Sequence, residues 1–144
     1  MKRSEVREAV FFLTFEKLFS SGTADDVLDI AYEADVFEIN EDVERLFKAV
    51  DEKAEELEEI IGRVSEKRKV SRIPKVLAAI LRIAVYEMMF DDTVPDSVAI
   101  SEAVILTKKF TYEQTDVKFV NGLLGALFRS RNENKENQDE NSGD

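Results

Sequence analysis

Residues 76–90 read VLAAILRIAVYEMMF. Apolar side chains stand at nearly every position, so a helix built from them is apolar almost all round and belongs at the centre of a packed domain. Arg82 and Glu87 break the run, and it is too short to cross a bilayer. Pro74 suits the first turn of this helix, and Asp91-Asp92-Thr93 ends it. Helical periodicity continues on both sides, with only two prolines and five glycines in 144 residues. The chain therefore reads as all-α.

Working outward toward the N-terminus, SEKRKVSR (65–72) is a polar, basic connector. Before it, Asn40 is a good N-cap for one long helix reaching Gly62, where a C-terminal stop belongs. Its buried stripe is Val43, Leu46, Phe47, Val50, Ala54, Leu57 and Ile61. Thr23 and Asp26 make a capping-box start for a short helix through Tyr32. Residues 4–20 carry Val6, Ala9, Val10, Leu13 and Leu18 at helical spacing. Toward the C-terminus, Pro95 opens a helix with Val98, Ala99, Ala103, Val104, Ile105 and Leu106 available for packing. TYEQTD (111–116) reads as a loop, and a last helix spans about Asp116 to Phe128. The expected architecture is six to seven helices in two small helical bundles packed together, an N-terminal group against a C-terminal one around residues 74–90. Residues 1–128 form the folded domain. Residues 129–144 are polar, without an apolar side chain, and read as a disordered tail.

The formal charge is −11, and the tail holds only three cations and five anions, so most of the acidity belongs to residues 1–128. Such a chain does not adhere to nucleic acid generally, though a local basic patch is compatible with it. There is no cysteine and no histidine. That removes disulfides, thiolate metal sites, and the commonest general base and transition-metal ligand. No metal or other cofactor is expected. MKRSEVREAV lacks the apolar run of a secretion signal, so a cytoplasmic protein is the expectation. No GxxxxGK[ST], GxGxxG or GxSxG motif is present, and Ser97 and Ser101 have no histidine to pair with. The chain does not read as an enzyme.

Three features remain. DEKAEELEE (51–59) puts its acids opposite the core stripe, as a solvated helix face or a docking surface for a basic protein. Phe11, Phe12, Phe15 and Phe19 add a second apolar stripe to the first helix, for core burial or self-association. Cations gather in three places: Lys2, Arg3 and Arg7; Lys67, Arg68, Lys69, Arg72 and Lys75; and Lys108, Lys109 and Lys118. At the start of the first helix they oppose the helix dipole, so helix stability does not account for them. Phe110, Tyr112 and Phe119 lie beside the last group, which is the mixture of donors and aromatic rings that single-stranded RNA requires.

LRIAVYEMMFDDTVPDSVAISEAVILTKKF (81–110), KFVNGLLGAL (118–127) and the opening REAVFFLTFEKLF (7–19) together resemble the NusB family of transcription antitermination factors. The resemblance implies an all-α fold of two bundles. It implies binding to boxA RNA of ribosomal RNA leader transcripts together with NusE, a small-subunit ribosomal protein, within the RNA polymerase elongation complex. By position, it assigns RNA contacts to Lys2, Arg3, Arg7, Thr115, Lys118 and Phe119, makes Asn121 structural through backbone bonding, and makes Gly122 a point of close helix packing. Glu87 and Glu102 are the candidates for the NusE surface. Two departures stand out: Ser4, Glu5 and Val6 thin the arginine-rich start, and Leu77-Ala78 replaces an acid–base pair. The alternatives are a homodimeric helical adaptor and the NusB-like domain of ribosomal RNA cytosine methyltransferases; for the latter this sequence has neither a methyltransferase domain nor a cysteine nucleophile.

Overall fold

A computed structural model describes residues 1–66 and 68–142, with side chains through Asn134 apart from Lys67. Among the described residues there are seven α-helices and no strand. They are α1 (Arg3–Phe19), α2 (Ala24–Ala34), α3 (Glu41–Glu52), α4 (Ala54–Val64), α5 (Lys75–Phe90), α6 (Asp96–Phe110) and α7 (Gln114–Ser142), with one 3₁₀ turn at Val70–Arg72. None is long and apolar enough to cross a membrane.

The central position expected for residues 76–90 is observed. Helix α5 packs on α1, α3, α4, α6 and α7, and so joins the α1–α3 group to the α4–α7 group. Leu77, Ile80, Leu81 and Val85 are fully buried on it, each worth about 1.5–3 kcal/mol of transfer free energy. Leu77 is thus a core residue, with Ala78 half-buried beside it.

Local signals set most helix ends. The Asn40 Oδ1 accepts from the Val43 amide at 2.9 Å and starts α3. Thr23 and Asp26 cap α2 reciprocally, through bonds of 3.2 and 2.9 Å. Asp35 ends α2 in the left-handed region at φ 51°. Pro74 and Pro95 occupy the N-cap positions of α5 and α6, just before the first turns. Glu5 accepts the Lys2 amide at 3.1 Å and closes the first turn of α1, while Val6 is in the core. Glu5 and Val6, two of the residues that thin the arginine-rich start, therefore serve the fold.

The structure corrects the sequence reading in four places. The long helix from Asn40 is broken at Lys53, whose backbone lies at φ −95°, ψ 8°, and this bend lets α4 turn onto α5 and α7. Gly62 does not stop α4, which runs to Val64; a Cβ on it would stand 2.9 Å from Val70 Cγ2, so glycine is needed for the close approach of the 3₁₀ turn. Helix α7 begins at Gln114 and continues past Phe128 to Ser142. Beyond the expected end, Arg131 Nη1 donates to both Asp96 carboxylate oxygens at 3.0 Å, tying α7 to the start of α6. Residues 143–144 of the predicted tail lie outside the described residues.

The phenylalanine stripe of α1 is largely internal. Phe11 is buried, Phe12 and Phe15 half-buried, and Phe110 and Phe37 close on them with ring centroids 4.8–5.4 Å apart. Phe19 alone of the four is well exposed, with Lys75 Nζ 5.2 Å from its ring. In the acidic stretch, Asp51 pairs with Lys17 at 3.7 Å and Glu58 with Arg82 at 3.8 Å, while Glu52, Glu55, Glu56 and Glu59 face solvent.

Candidate nucleic-acid interface

Helix α7 sorts the residues of KFVNGLLG by its 3.6-residue period. Val120, Leu123 and Leu124 point into the core, with Leu127 one turn on. Lys118, Asn121 and Gly122 are exposed, and Phe119 is half-buried at the edge. Thr115 is exposed one turn before Lys118 on the same face. Asn121 makes no side-chain hydrogen bond among the described residues, so the backbone-bonding role expected for it is not observed. Gly122 is not a packing point either: a Cβ there meets nothing within 4 Å.

Lys118 and Phe119 line a groove of about 330 Å³ between α7 and the segment Val64–Glu66, with Gly122 and Arg129 farther along α7. Arg68 reaches across from the connector, its guanidinium carbon 4.6 Å from the Phe119 ring centroid. At a partly exposed site such a cation–π contact contributes about 0.5–1 kcal/mol. It fixes Arg68 beside Lys118 and makes the connector part of this surface. Arg68, Gly122 and Arg129 were not singled out as contacts by the sequence reading. The positions 118, 122 and 129 share one helix face by spacing alone, but nothing in the sequence brings residue 68 to them.

The N-terminal cluster forms a separate feature. Lys2 is exposed at the N-cap of α1. Arg3 is 57% exposed and donates to Asp91 Oδ2 at 3.1 Å. Arg7 is different: it is 4% exposed and bidentate on Glu87, with Nε–Oε1 at 2.8 Å and Nη2–Oε2 at 2.9 Å. Glu87 is 1% exposed. The sequence reading placed Arg7 on the RNA surface and Glu87 on the NusE surface, and both placements are corrected here. The two residues sit opposite each other on the antiparallel pair α1 and α5 and neutralise each other inside the protein. Glu102, the second partner-surface candidate, is half-buried on α6.

Glu87 on α5 and Asp91 just past its end thus pair with Arg7 and Arg3, two of the cations that oppose the α1 dipole. Burial pushes the Asp91 carboxyl up, but hydrogen bonds from the Thr93 hydroxyl and amide and the Arg3 guanidinium outweigh it. The net result is a pKa below the ordinary carboxylate value. Tyr86, which lines a second groove with Arg3 and Asp91, is held above the ordinary phenol value by burial and then by the charges of Asp91, Glu52 and Glu87. At this end Arg3 is partly neutralised, whereas Lys118 has no carboxylate within ion-pair distance among the described residues. Between the two clusters, Lys109 Nζ donates to Glu8 Oε2 at 2.7 Å, which fixes the end of α6 against α1.

The NusB family model matches residues 4–129, nearly the whole described domain. The chain belongs to the NusB family. The transcription antitermination protein NusB of Clostridium acetobutylicum is 35% identical over 136 residues, which cover 92% of this chain and 99% of that protein. The NusB of Lachnoclostridium phytofermentans is 36% identical over 131 residues, covering 88% and 98%. Among solved structures, T. maritima NusB superposes with a TM-score of 0.75 at 27% identity, over 87% of this chain and 89% of that one. A structure of the antitermination factors NusB and NusE in complex with double-stranded RNA superposes at 0.76 over 89% and 96%. Its identity is 21%, which shows the shared fold. The NusB fold expected from residues 81–127 is therefore the fold observed.

Proposed function

We infer that this NusB-family chain is a non-enzymatic, cytoplasmic antitermination factor. It binds boxA RNA of ribosomal RNA leader transcripts together with NusE, and the assembly joins the elongating RNA polymerase. One observation carries most of the weight: in a chain of net charge −11, Lys118 stands exposed, with no carboxylate partner among the described residues, beside Phe119 on a groove. Lys118 supplies the phosphate contact, Phe119 the aromatic face, and Thr115 a hydroxyl one turn away. Lys2 and Arg3 extend the basic surface at the start of α1. That a NusB of the same fold assembles with NusE and RNA supports the reading.

The acidic remainder suits a basic ribosomal protein, since opposite fields steer encounter and suppress wrong partners. Glu102 on α6 is the proposed NusE-facing acid. The test is terminator read-through by the cognate polymerase with its elongation factors, downstream of a boxA sequence. Read-through is expected to rise when this chain and NusE are added together and to fall back with Lys118→Ala. Equal read-through with and without the chain contradicts the reading.

A further inference from the structure

The groove beside Lys118 extends beyond the residues assigned above to RNA. It follows α7 from Lys118 to Arg129, a rise of about 16 Å along the helix. Three features along it stand out. Gly122 forms part of its floor although a side chain there meets nothing within 4 Å, and glycine weakens a helix interior. Arg129 folds back along α7, its Nη1 3.4 Å from where a Cβ on Gly125 would stand. Arg68 is held over Phe119. Neither Arg68 nor Arg129 has a carboxylate within ion-pair distance among the described residues. Glu66 is the acid on the rim.

We propose that a single-stranded RNA passing Lys118 continues into this groove, laying one nucleotide on the bare Gly122 backbone while Arg68 and Arg129 take the flanking phosphates. This rests on the RNA-binding reading and deepens it. The chemistry fits on three counts. Cations stand at both ends of the groove, so a strand's phosphates are met where it enters and where it leaves. The floor without a Cβ admits a flat base or sugar edge against the helix, with Leu123 and Ala126 as apolar neighbours. At about 330 Å³ the groove lies near the lower end of the roughly 300–1,000 Å³ of small-ligand sites, enough for one nucleotide and not for a duplex. Arg68, already placed by Phe119, loses little freedom on binding. An acidic peptide would use the cations but has no need of the open glycine floor.

The test is fluorescence anisotropy of a boxA RNA with this chain and NusE over a salt series. The variants are Arg68→Ala, Arg129→Ala, Gly122→Leu and the smaller Gly122→Ala, with a thermal melt of each. Each arginine variant is expected to weaken RNA binding about three- to tenfold and to lower the salt slope by about 0.7. Gly122→Leu weakens it at least as much while melting no lower than wild type, and Gly122→Ala, which adds only a Cβ to the floor, weakens it less than Gly122→Leu. NusE binding without RNA does not change. If wild type prefers boxA and all variants match it, the groove path is overturned and the antitermination reading stands. If wild type binds no boxA RNA even with NusE, both fall. Loss of NusE binding without RNA, in any of the three test variants, also overturns the proposal and assigns the groove to the protein partner.

Discussion

Removing one member of the Arg7–Glu87 pair should destabilise this protein more than removing both. Both side chains are almost completely buried, and three N–H···O bonds of 2.8–3.1 Å join them. Glu87→Leu strands the Arg7 guanidinium in the core, which costs about 3–5 kcal/mol. Arg7→Met strands the Glu87 carboxylate. Arg3 Nη2 stands 4.0 Å from Glu87 Oε2 and partly compensates, so this cost falls at the lower end, about 3 kcal/mol. The double variant leaves no buried charge, and exchanges of this kind run from neutral to stabilising by about 1–4 kcal/mol. Either single change removes a large part of the roughly 5–15 kcal/mol by which a domain is stable. Urea unfolding reads this as a lower midpoint at unchanged m-value. A double-mutant cycle then gives a coupling of several kcal/mol. Arg7→Met, measured where it is folded, should bind RNA as wild type does. Single variants within about 0.5 kcal/mol of wild type would refute the reasoning. So would an Arg7→Met protein of normal stability with weakened RNA binding, since Arg7 would then face the RNA.

Two further outcomes follow from local geometry. Gly122→Ala should stabilise by about 0.5–1 kcal/mol in thermal or urea unfolding, because the helix gains propensity and the site is empty. Gly62→Ala should forfeit that gain or lower stability, because its Cβ meets Val70 at 2.9 Å; equal stabilisation by both changes would contradict the close packing described for Gly62. Asp91 has a folded pKa below its ordinary value, so its contribution is complete above the unfolded pKa of about 3.9 and is lost as pH falls through the lower folded value. Asp91→Asn should therefore flatten the acid limb of a Tm-versus-pH curve below about pH 4, and an unchanged limb would count against the Thr93 and Arg3 bonds to Asp91.

Much of this fold is written in short-range pattern. The all-round apolarity of residues 76–90, the caps at Thr23 and Asn40, and the two prolines each act within a few positions, and each appears where the sequence reading put it. What escaped that reading depends on contacts between distant positions. Arg7 and Glu87 lie 80 residues apart, and nothing in either neighbourhood says that they neutralise each other. Each alone looks like a surface charge. The bend at Lys53 has no glycine or proline to mark it, because it serves the turn of α4 onto α5. Gly62 looked like a helix stop and is a contact with Val70. Gly122 looked like a contact and is open space. The site was half legible. Lys118 and Phe119 followed from residue type and from the family resemblance, but Arg68 joins them only because the connector folds back over α7.

The most direct measurement is the affinity of this chain for boxA RNA, alone and with NusE, over a salt series and beside a scrambled RNA and Lys118→Ala. The account predicts that NusE strengthens binding, that scrambling weakens it, and that Lys118→Ala weakens it and lowers the salt slope by about 0.7. Equal affinity for boxA and scrambled RNA in the presence of NusE, with Lys118→Ala unchanged, would contradict it.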